Sequence, residues 1–287
     1  MKFTDSHCHL DFTEFDDNLP ALLEQCNAEN IHRIIVPAVN PKHWQRVLSL
    51  TKNEMLNISC SLGIHPWFLI LQDHQSDNFS KNYDVAFQEQ QLKQEIQLYK
   101  QNKHDHECNK LVAIGECGID VFKTKKNTID EQAYKKNIQL QQAFFEMQLG
   151  LAKENNLPVI IHHCQSHALT LPVLKQYKLD HAGVIHAFSG SYQQAKDYID
   201  LGFKLGVGGT ITYPRAKKTI NAIKRLPLSS LLLETDAPAM PPIGMQGEVN
   251  SPLNLLLVFQ ALVALRDESE EIIAQQIEVN IEKLFFN

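Results

Sequence analysis

Asp5-Ser6-His7-Cys8-His9-Leu10-Asp11 is the stretch from which the rest of the chain can be read. It follows the apolar Phe3, and in an extended segment alternate side chains point the same way, which puts His7 and His9 on one face about 6–7 Å apart. Two imidazoles so placed suit one metal ion. Two ligands alone bind a divalent ion weakly and leave its geometry undefined, so the remaining ligands have to come from elsewhere in the chain.

Outward from this stretch the sequence alternates short apolar, β-branched runs with helical patterns. Strands are expected at Lys2–Asp5, Arg33–Pro37, Ile58–Gly63, Leu111–Gly115, Pro158–His162, Gly183–His186, Lys204–Val207 and Leu231–Glu234. Helices are expected at about Asp17–Asn30, His43–Asn53, Tyr83–Lys103, Ile129–Asn155, Ser166–Tyr177, Tyr192–Leu201 and Arg215–Leu226, with two more after Pro252. Thr128 with Glu131 fits a capping box, Ser191 an N-cap and Gly202 a C-cap stop. Eight strands, each followed by a helix, predict an α/β fold of the (β/α)₈ TIM-barrel type. With no internal repeat or Gly/Ser linker, residues 1–287 read as one domain. A polar insertion at about 72–110, rich in Gln, Asn, Lys and His, is expected to form a long surface helix with a loose tail.

Composition narrows the function classes. A length of 287 residues with 44% hydrophobic content supports a sizeable core, and a net charge of -6 argues against a broad basic face, so any nucleic-acid partner has to be held locally. The N-terminus lacks an apolar leader, and the most apolar run, Leu253 to Leu265, is short and broken by Asn254 and Gln260. These features predict a soluble cytoplasmic protein. The six cysteines are scattered without a C-x-x-C pair and read as reduced thiols rather than a zinc knuckle or disulfide framework.

Chemistry in a parallel barrel belongs at the C-terminal ends of the strands. There the sequence delivers His7 and His9 after strand one, His65 after strand three, Glu116 after strand four, His162 after strand five, His186 after strand six and Asp236 after strand eight. Each has a bland alternative: a lone His as a capping or core histidine, Glu116 as a carboxylate paired with a Lys, Asp236 as a turn former before Ala237-Pro238. Together they outweigh those alternatives, because so many ionisable groups behind apolar strands would each need a partner or a shifted pKa. Even without His65, four histidines and two carboxylates exceed the needs of one tetrahedral ion, and two ions sharing a bridging carboxylate use six ligands. By contrast His104-Asp105-His106 repeats the spacing among polar neighbours and reads as a solvated loop. Gly206-Val207-Gly208-Gly209-Thr210 reads as a tight turn at the barrel mouth. Serine-hydrolase and P-loop signatures do not occur.

These residues also resemble a known family. Besides the opening stretch, Gly63-Ile64-His65-Pro66, Ile114-Gly115-Glu116-Cys117-Gly118-Ile119-Asp120, Pro158-Val159-Ile160-Ile161-His162, His186-Ala187-Phe188-Ser189-Gly190 and Leu233-Glu234-Thr235-Asp236-Ala237-Pro238 look like the ordered signatures of TatD-type metal-dependent hydrolases. The likeness runs from the first residues to Leu284-Phe285, and from Gly183 onward it is especially similar to the YjjV branch. The resemblance implies an amidohydrolase-type barrel in which His7, His9, Glu116 and Asp236 hold one ion and Glu116, His162 and His186 the second, with Glu116 as the bridge. It also implies phosphodiester hydrolysis, since the family includes deoxyribonucleases. One departure follows His162: members often continue with a small residue and then Arg, whereas this chain has His163-Cys164-Gln165 and no guanidinium there.

The expected reaction is therefore hydrolysis by water activated between two divalent cations, of Zn, Mn, Ni or Mg type, with Asp236 orienting the water and accepting its proton and Glu116 bridging. His65 is expected to donate to a phosphate oxygen, and Arg215 is a further substrate contact. DNA ends or small phosphodiesters suit a recessed mouth, and neither a membrane nor an obligatory protein partner is called for. Two other readings stay open. One is an amide, lactone or ester hydrolase on the same barrel, where many relatives bridge their ions with a modified Lys; the other is a non-catalytic binding module.

Overall fold

In the computed structural model, which describes residues 1–71, 81–101 and 110–287, eight strands pair in strict sequence order, each parallel to its neighbour. They are β1 (Phe3–Asp5), β2 (Ile31–Pro37), β3 (Asn57–Leu62), β4 (Leu111–Asp120), β5 (Val159–Cys164), β6 (Gly183–Ile185), β7 (Lys204–Val207) and β8 (Leu231–Leu233). Parallel neighbours cannot be joined by a hairpin, and the crossovers run through helices that cover the sheet. These are α1 (Leu19–Ala28), α2 (Pro41–Leu50), α3 (Val85–Gln101), α4 (Val121–Asn127), α5 (Glu131–Asn155), α6 (His167–Tyr177), α7 (Tyr192–Ile199), α8 (Lys217–Arg225), α9 (Leu255–Leu265) and α10 (Glu270–Phe285). The result is the (β/α)₈ barrel that the alternation predicts.

The strands read as continuous apolar runs because both of their faces are covered. Ile34, Ile35 and Val36 of β2, and Leu231 and Leu232 of β8, have no exposed surface. The seam between β8 and β1 is closed by Ser6 N–H donating to Leu233 O and Asp236 N–H donating to His7 O, each at 2.9 Å. The buried Asp5 carboxyl adds to it, accepting the Thr235 N–H at 3.0 Å and meeting the Thr235 hydroxyl at 2.6 Å. The apolar run from Leu253 forms α9, which buries Leu255, Val258, Phe259 and Leu262. Among the described residues no helix is long and apolar enough to cross a membrane.

Three elements depart from expectation. β4 does not stop at Gly115 but continues to Asp120. Gly115 and Gly118 have φ of +145° and +142°, and a Cβ there would stand 2.6 Å from Ile160 O and 2.1 Å from His162 O. Only glycine lets β4 pass this close to β5, at a place where their register shifts. Glu116 is therefore presented from within the strand rather than after it. The expected helix from Ile129 is preceded by a separate one, α4, and α5 is capped by Asp130, whose side chain accepts the Ala133 N–H at 2.7 Å. Thr128 is not that cap; its hydroxyl turns back to Thr124 O at 3.0 Å. Ser191 does cap α7, in a capping box with Gln194. Within the polar insertion, α3 buries Leu92 and Ile96 and packs on α5, so it is an outer barrel helix. The rest of the insertion, His104-Asp105-His106 included, lies outside the described residues. The described cysteines are all free thiols.

Candidate metal centre

The six expected ligands meet at the C-terminal mouth of the barrel. His7 and His9 leave the end of β1 with their Nε2 atoms 3.2 Å apart. Both face Glu116 Oε2, at 3.2 and 3.5 Å, and Asp236 Oδ1, at 3.5 Å each. The other oxygen of Glu116, Oε1, faces His186 Nε2 at 2.8 Å, His162 Nδ1 at 3.0 Å and His65 Nε2 at 3.1 Å. One carboxylate from β4 thus divides its oxygens between two histidine groups.

These residues suit divalent cations. Two nitrogens on a tetrahedral ion, each 2.0–2.1 Å from the metal, lie roughly 3.3 Å apart; the observed separations are 3.2 Å for His7–His9 and 3.3 Å for His162–His186. Three sets have their donor atoms within 4.8 Å of one another: His7, Glu116 and His186; His7, His9 and Asp236; His65, Glu116 and His162. Glu116 Oε2 is buried and receives no properly aligned hydrogen bond, although His7 is near. An acceptor left so deep in the protein calls for positive charge. Burial pushes the Glu116 carboxyl up, but His186, His65 and His7 outweigh it and hold the group well below its usual range. Burial, reinforced by His186, pushes His7 down and leaves its ring neutral, the form that ligates a metal.

Hydrogen bonds at the far ring nitrogens assign the tautomers. His9 Nδ1 lies 3.2 Å from Pro37 O and His162 Nε2 lies 3.0 Å from Asp120 Oδ2, so each of these nitrogens carries the proton and the other aims a lone pair at the cluster. His186 Nδ1 is 3.7 Å from Glu234 Oε1. His65 is reversed. Its Nδ1 accepts the Trp67 N–H at 3.0 Å, so Nε2, the atom facing Glu116, bears the proton. Burial pushes this ring down to about 4 and keeps it neutral. His65 sits among the ligands but presents a donor, which fits a contact to an anion better than to a cation. Arg215 stands apart from them, exposed on the rim and stacked over Tyr213 with its guanidinium 4.8 Å from the ring centroid.

Three acids that hold the cluster were not singled out from the sequence. Asp120, at the end of β4, fixes His162 and also accepts the Trp67 indole N–H at 2.6 Å and the Lys123 N–H at 2.6 Å. Its place four residues beyond Glu116, in a strand where alternate residues share a face, was the available signal. Asp5 accepts the His7 N–H at 3.1 Å and so fixes the first expected ligand. Glu234, fully buried at the end of β8, accepts the Ala187 N–H beside His186 at 2.5 Å. A Cβ on Gly206 would fall 2.1 Å from its Oε2, so the glycine before the mouth makes room for this carboxylate. Where a family Arg would follow His162, the Cys164 thiol lies half-buried, pushed up to about 12 by burial and by Asp120.

Known proteins resemble the chain over nearly its whole length. The model of the family described as TatD related DNase matches residues 4–286. Over 284 residues the chain is 40% identical to the uncharacterized metal-dependent hydrolase YjjV of Escherichia coli K12, covering 99% of this chain and 98% of that one. An uncharacterized metal-dependent hydrolase of Haemophilus influenzae is 38% identical over 275 residues, 95% of each chain. The crystal structure of YjjV superposes with a TM-score of 0.82, covering 99% of this chain and 97% of the other.

Proposed function

The chain belongs to the TatD-related DNase family, and from that premise we propose that it is a metal-dependent hydrolase that cleaves phosphodiester bonds of DNA or small nucleotides at a two-cation centre. The observation that carries this reading is the division of the Glu116 carboxylate, with Oε2 turned to His7 and His9 and Oε1 to His162 and His186. His7, His9, Asp236 and Oε2 would hold one cation; His162, His186 and Oε1 the other. Divalent cations bound there acidify water and offset the charge that builds on phosphoryl oxygens.

The remaining work falls to the chain's own residues. Asp236 supplies one oxygen to the ligand set and keeps a second to orient water and accept its proton; burial would raise its carboxyl, but His9 and its neighbours hold it low and ionised. His65 presents its Nε2–H to a phosphate oxygen as a neutral donor. Asp120 and Pro37 O fix the rings of His162 and His9, so the cluster does not have to reorganise as charge develops. Arg215, on the rim, is the candidate contact for a more distant phosphate.

The test is cleavage of DNA oligonucleotides under several divalent metals. Glu116→Gln and His162→Ala should each abolish metal-dependent cleavage, and unchanged cleavage in either would end the proposal. Faster turnover of small esters or lactones than of any nucleotide would instead favour an ester or lactone hydrolase, a reading that the Glu in β4, rather than a Lys, makes the weaker one.

A further inference from the structure

The rim above β3 and β4 carries aromatic surface that the ligand cluster does not use. Trp67 and Phe68, in the turn after β3, are 46% and 45% exposed, and Phe122, at the start of α4, is 51% exposed. Trp44, by contrast, is buried and donates its indole N–H to Gly63 O. Trp67 is held in place despite its exposure. Its indole N–H donates to the Asp120 carboxylate that also fixes His162, and its ring centroid lies 5.0 Å from that of His65 and 6.0 Å from that of His162. The Lys123 ammonium sits 4.4 Å from the centre of the Trp67 ring. Around it α4 reads Val121-Phe122-Lys123-Thr124-Lys125-Lys126-Asn127, with three lysines and no acid, in a chain whose net charge is -6.

Resting on the phosphodiesterase reading, we propose that Trp67 and Lys123 form a nucleotide subsite beside the metal centre, in which an unpaired base stacks on the indole and Lys123 pairs with the adjacent phosphate. The substrate it selects is a single-stranded or frayed nucleic-acid end, because a base inside a duplex has no free face to offer. A rigid indole with a mobile ammonium matches a π-face joined to one anion. The flexible stem of the lysine lets the ammonium exchange the ring for a phosphate oxygen when a base arrives. Cys164 is the ladder neighbour of Asp120, and β5 brings no lysine or arginine to this side of the mouth, so Lys123, just beyond Asp120, supplies the cation there.

Trp67 is one of two tryptophans, so in a Trp44→Phe background its fluorescence reports this subsite alone. The metal-loaded protein is titrated with a hydrolysis-resistant phosphorothioate oligothymidylate and with an abasic phosphorothioate strand of equal charge. The base-bearing strand should quench the indole and bind roughly ten- to a hundred-fold tighter than the abasic one. Trp67→Ala, read by competition with a labelled strand, should erase that preference, while Trp67→Phe, which keeps a stacking face, should retain most of it. Lys123→Ala should weaken both strands alike and lower the salt slope by about one. Equal affinity for the two strands, or a preference that survives Trp67→Ala, would overturn the subsite even if ordinary DNA is still cleaved. A base preference without any metal-dependent cleavage would leave the subsite standing and remove the hydrolytic reading.

Discussion

The Asp5 carboxyl takes both polar groups of Thr235, the backbone N–H at 3.0 Å and the hydroxyl at 2.6 Å, across the seam where the last strand of the barrel meets the first. The same carboxyl accepts the N–H of His7. One buried side chain therefore closes the barrel and positions the first candidate ligand. Burial pushes its pKa up from 3.8 to about 8, against the opposing hydrogen bonds from Thr235 and His7, and so favours the neutral acid. Asparagine copies the shape and the donor pattern of a neutral acid. Asp5→Asn should cost about 1 kcal/mol or less, while Asp5→Ala, which strands buried donors, should cost about 3–5 kcal/mol in urea denaturation. Because the folded-state value lies above the ordinary one, stability contributed by this group is complete below 3.8 and declines as pH rises towards 8. The Asn variant should lose that part of the pH dependence. If Asn proves as costly as Ala, the group is ionised and this account of the seam is wrong.

Asp120→Asn should weaken metal binding without unfolding the protein. The ring of His162 presents Nδ1 to the cluster only because Nε2–H is anchored on Asp120 at 3.0 Å. An asparagine can turn its amide towards that nitrogen and favour the wrong tautomer. Loss of such a supporting carboxylate typically lowers metal affinity or activity by about 10- to 100-fold. Competition with a chromophoric chelator gives the affinity directly, and an unaltered constant would show that His162 does not depend on this tether.

Gly206→Ala tests the crowding behind His186. The added methyl would stand 2.1 Å from Glu234 Oε2, and Glu234 is pinned by the Ala187 N–H at 2.5 Å, so neither has room to move. Overpacking of this kind costs about 1–3 kcal/mol, and the displaced carboxylate should loosen His186 and lower metal occupancy. Thermal denaturation with metal analysis checks both effects. A variant as stable and as metal-rich as the parent would mean that the mouth yields more easily than its geometry suggests.

The barrel and the meeting of six candidate ligands at its mouth were legible because two simple patterns coincide: apolar β-branched runs buried on both faces, and polar residues where those runs end. Most of what escaped depends on contacts between distant segments. Gly115 and Gly118 look like a stop in β4, yet they let the strand continue past β5 to Asp120, and no local propensity signals that approach. Thr128 satisfied the capping pattern, but Asp130 stood nearer the start of α5 and took the cap. Asp5 was visible as an acid two residues before His7, and Glu234 as one two residues before Asp236. Their partners, Thr235 and the Ala187 N–H, lie 230 and 47 residues away, so their roles appear only once the strands are side by side.

The charge balance of the mouth makes cation removal informative. Glu116 and Asp236 bring two carboxylates among buried rings of which at least His7 is held neutral, and Glu116 Oε2 has no aligned donor. Stripping cations should therefore lower the melting temperature, and adding them back should raise it in proportion to the logarithm of free metal. One ion at a hundredfold excess over its Kd stabilises by about 2.7 kcal/mol, so two ions bound to the folded state alone should contribute about 5 kcal/mol. Two increments are expected on titration if the Oε2 and Oε1 sides fill separately. Glu116→Gln keeps the shape but lacks the charge and one acceptor, and should reduce the response to a single weak increment or none. His162→Ala should leave the His7–His9–Asp236 side intact and remove only the other. One increment in the parent protein, lost equally in both variants, would reduce the centre to a single ion and leave Glu116 as a ligand rather than a bridge.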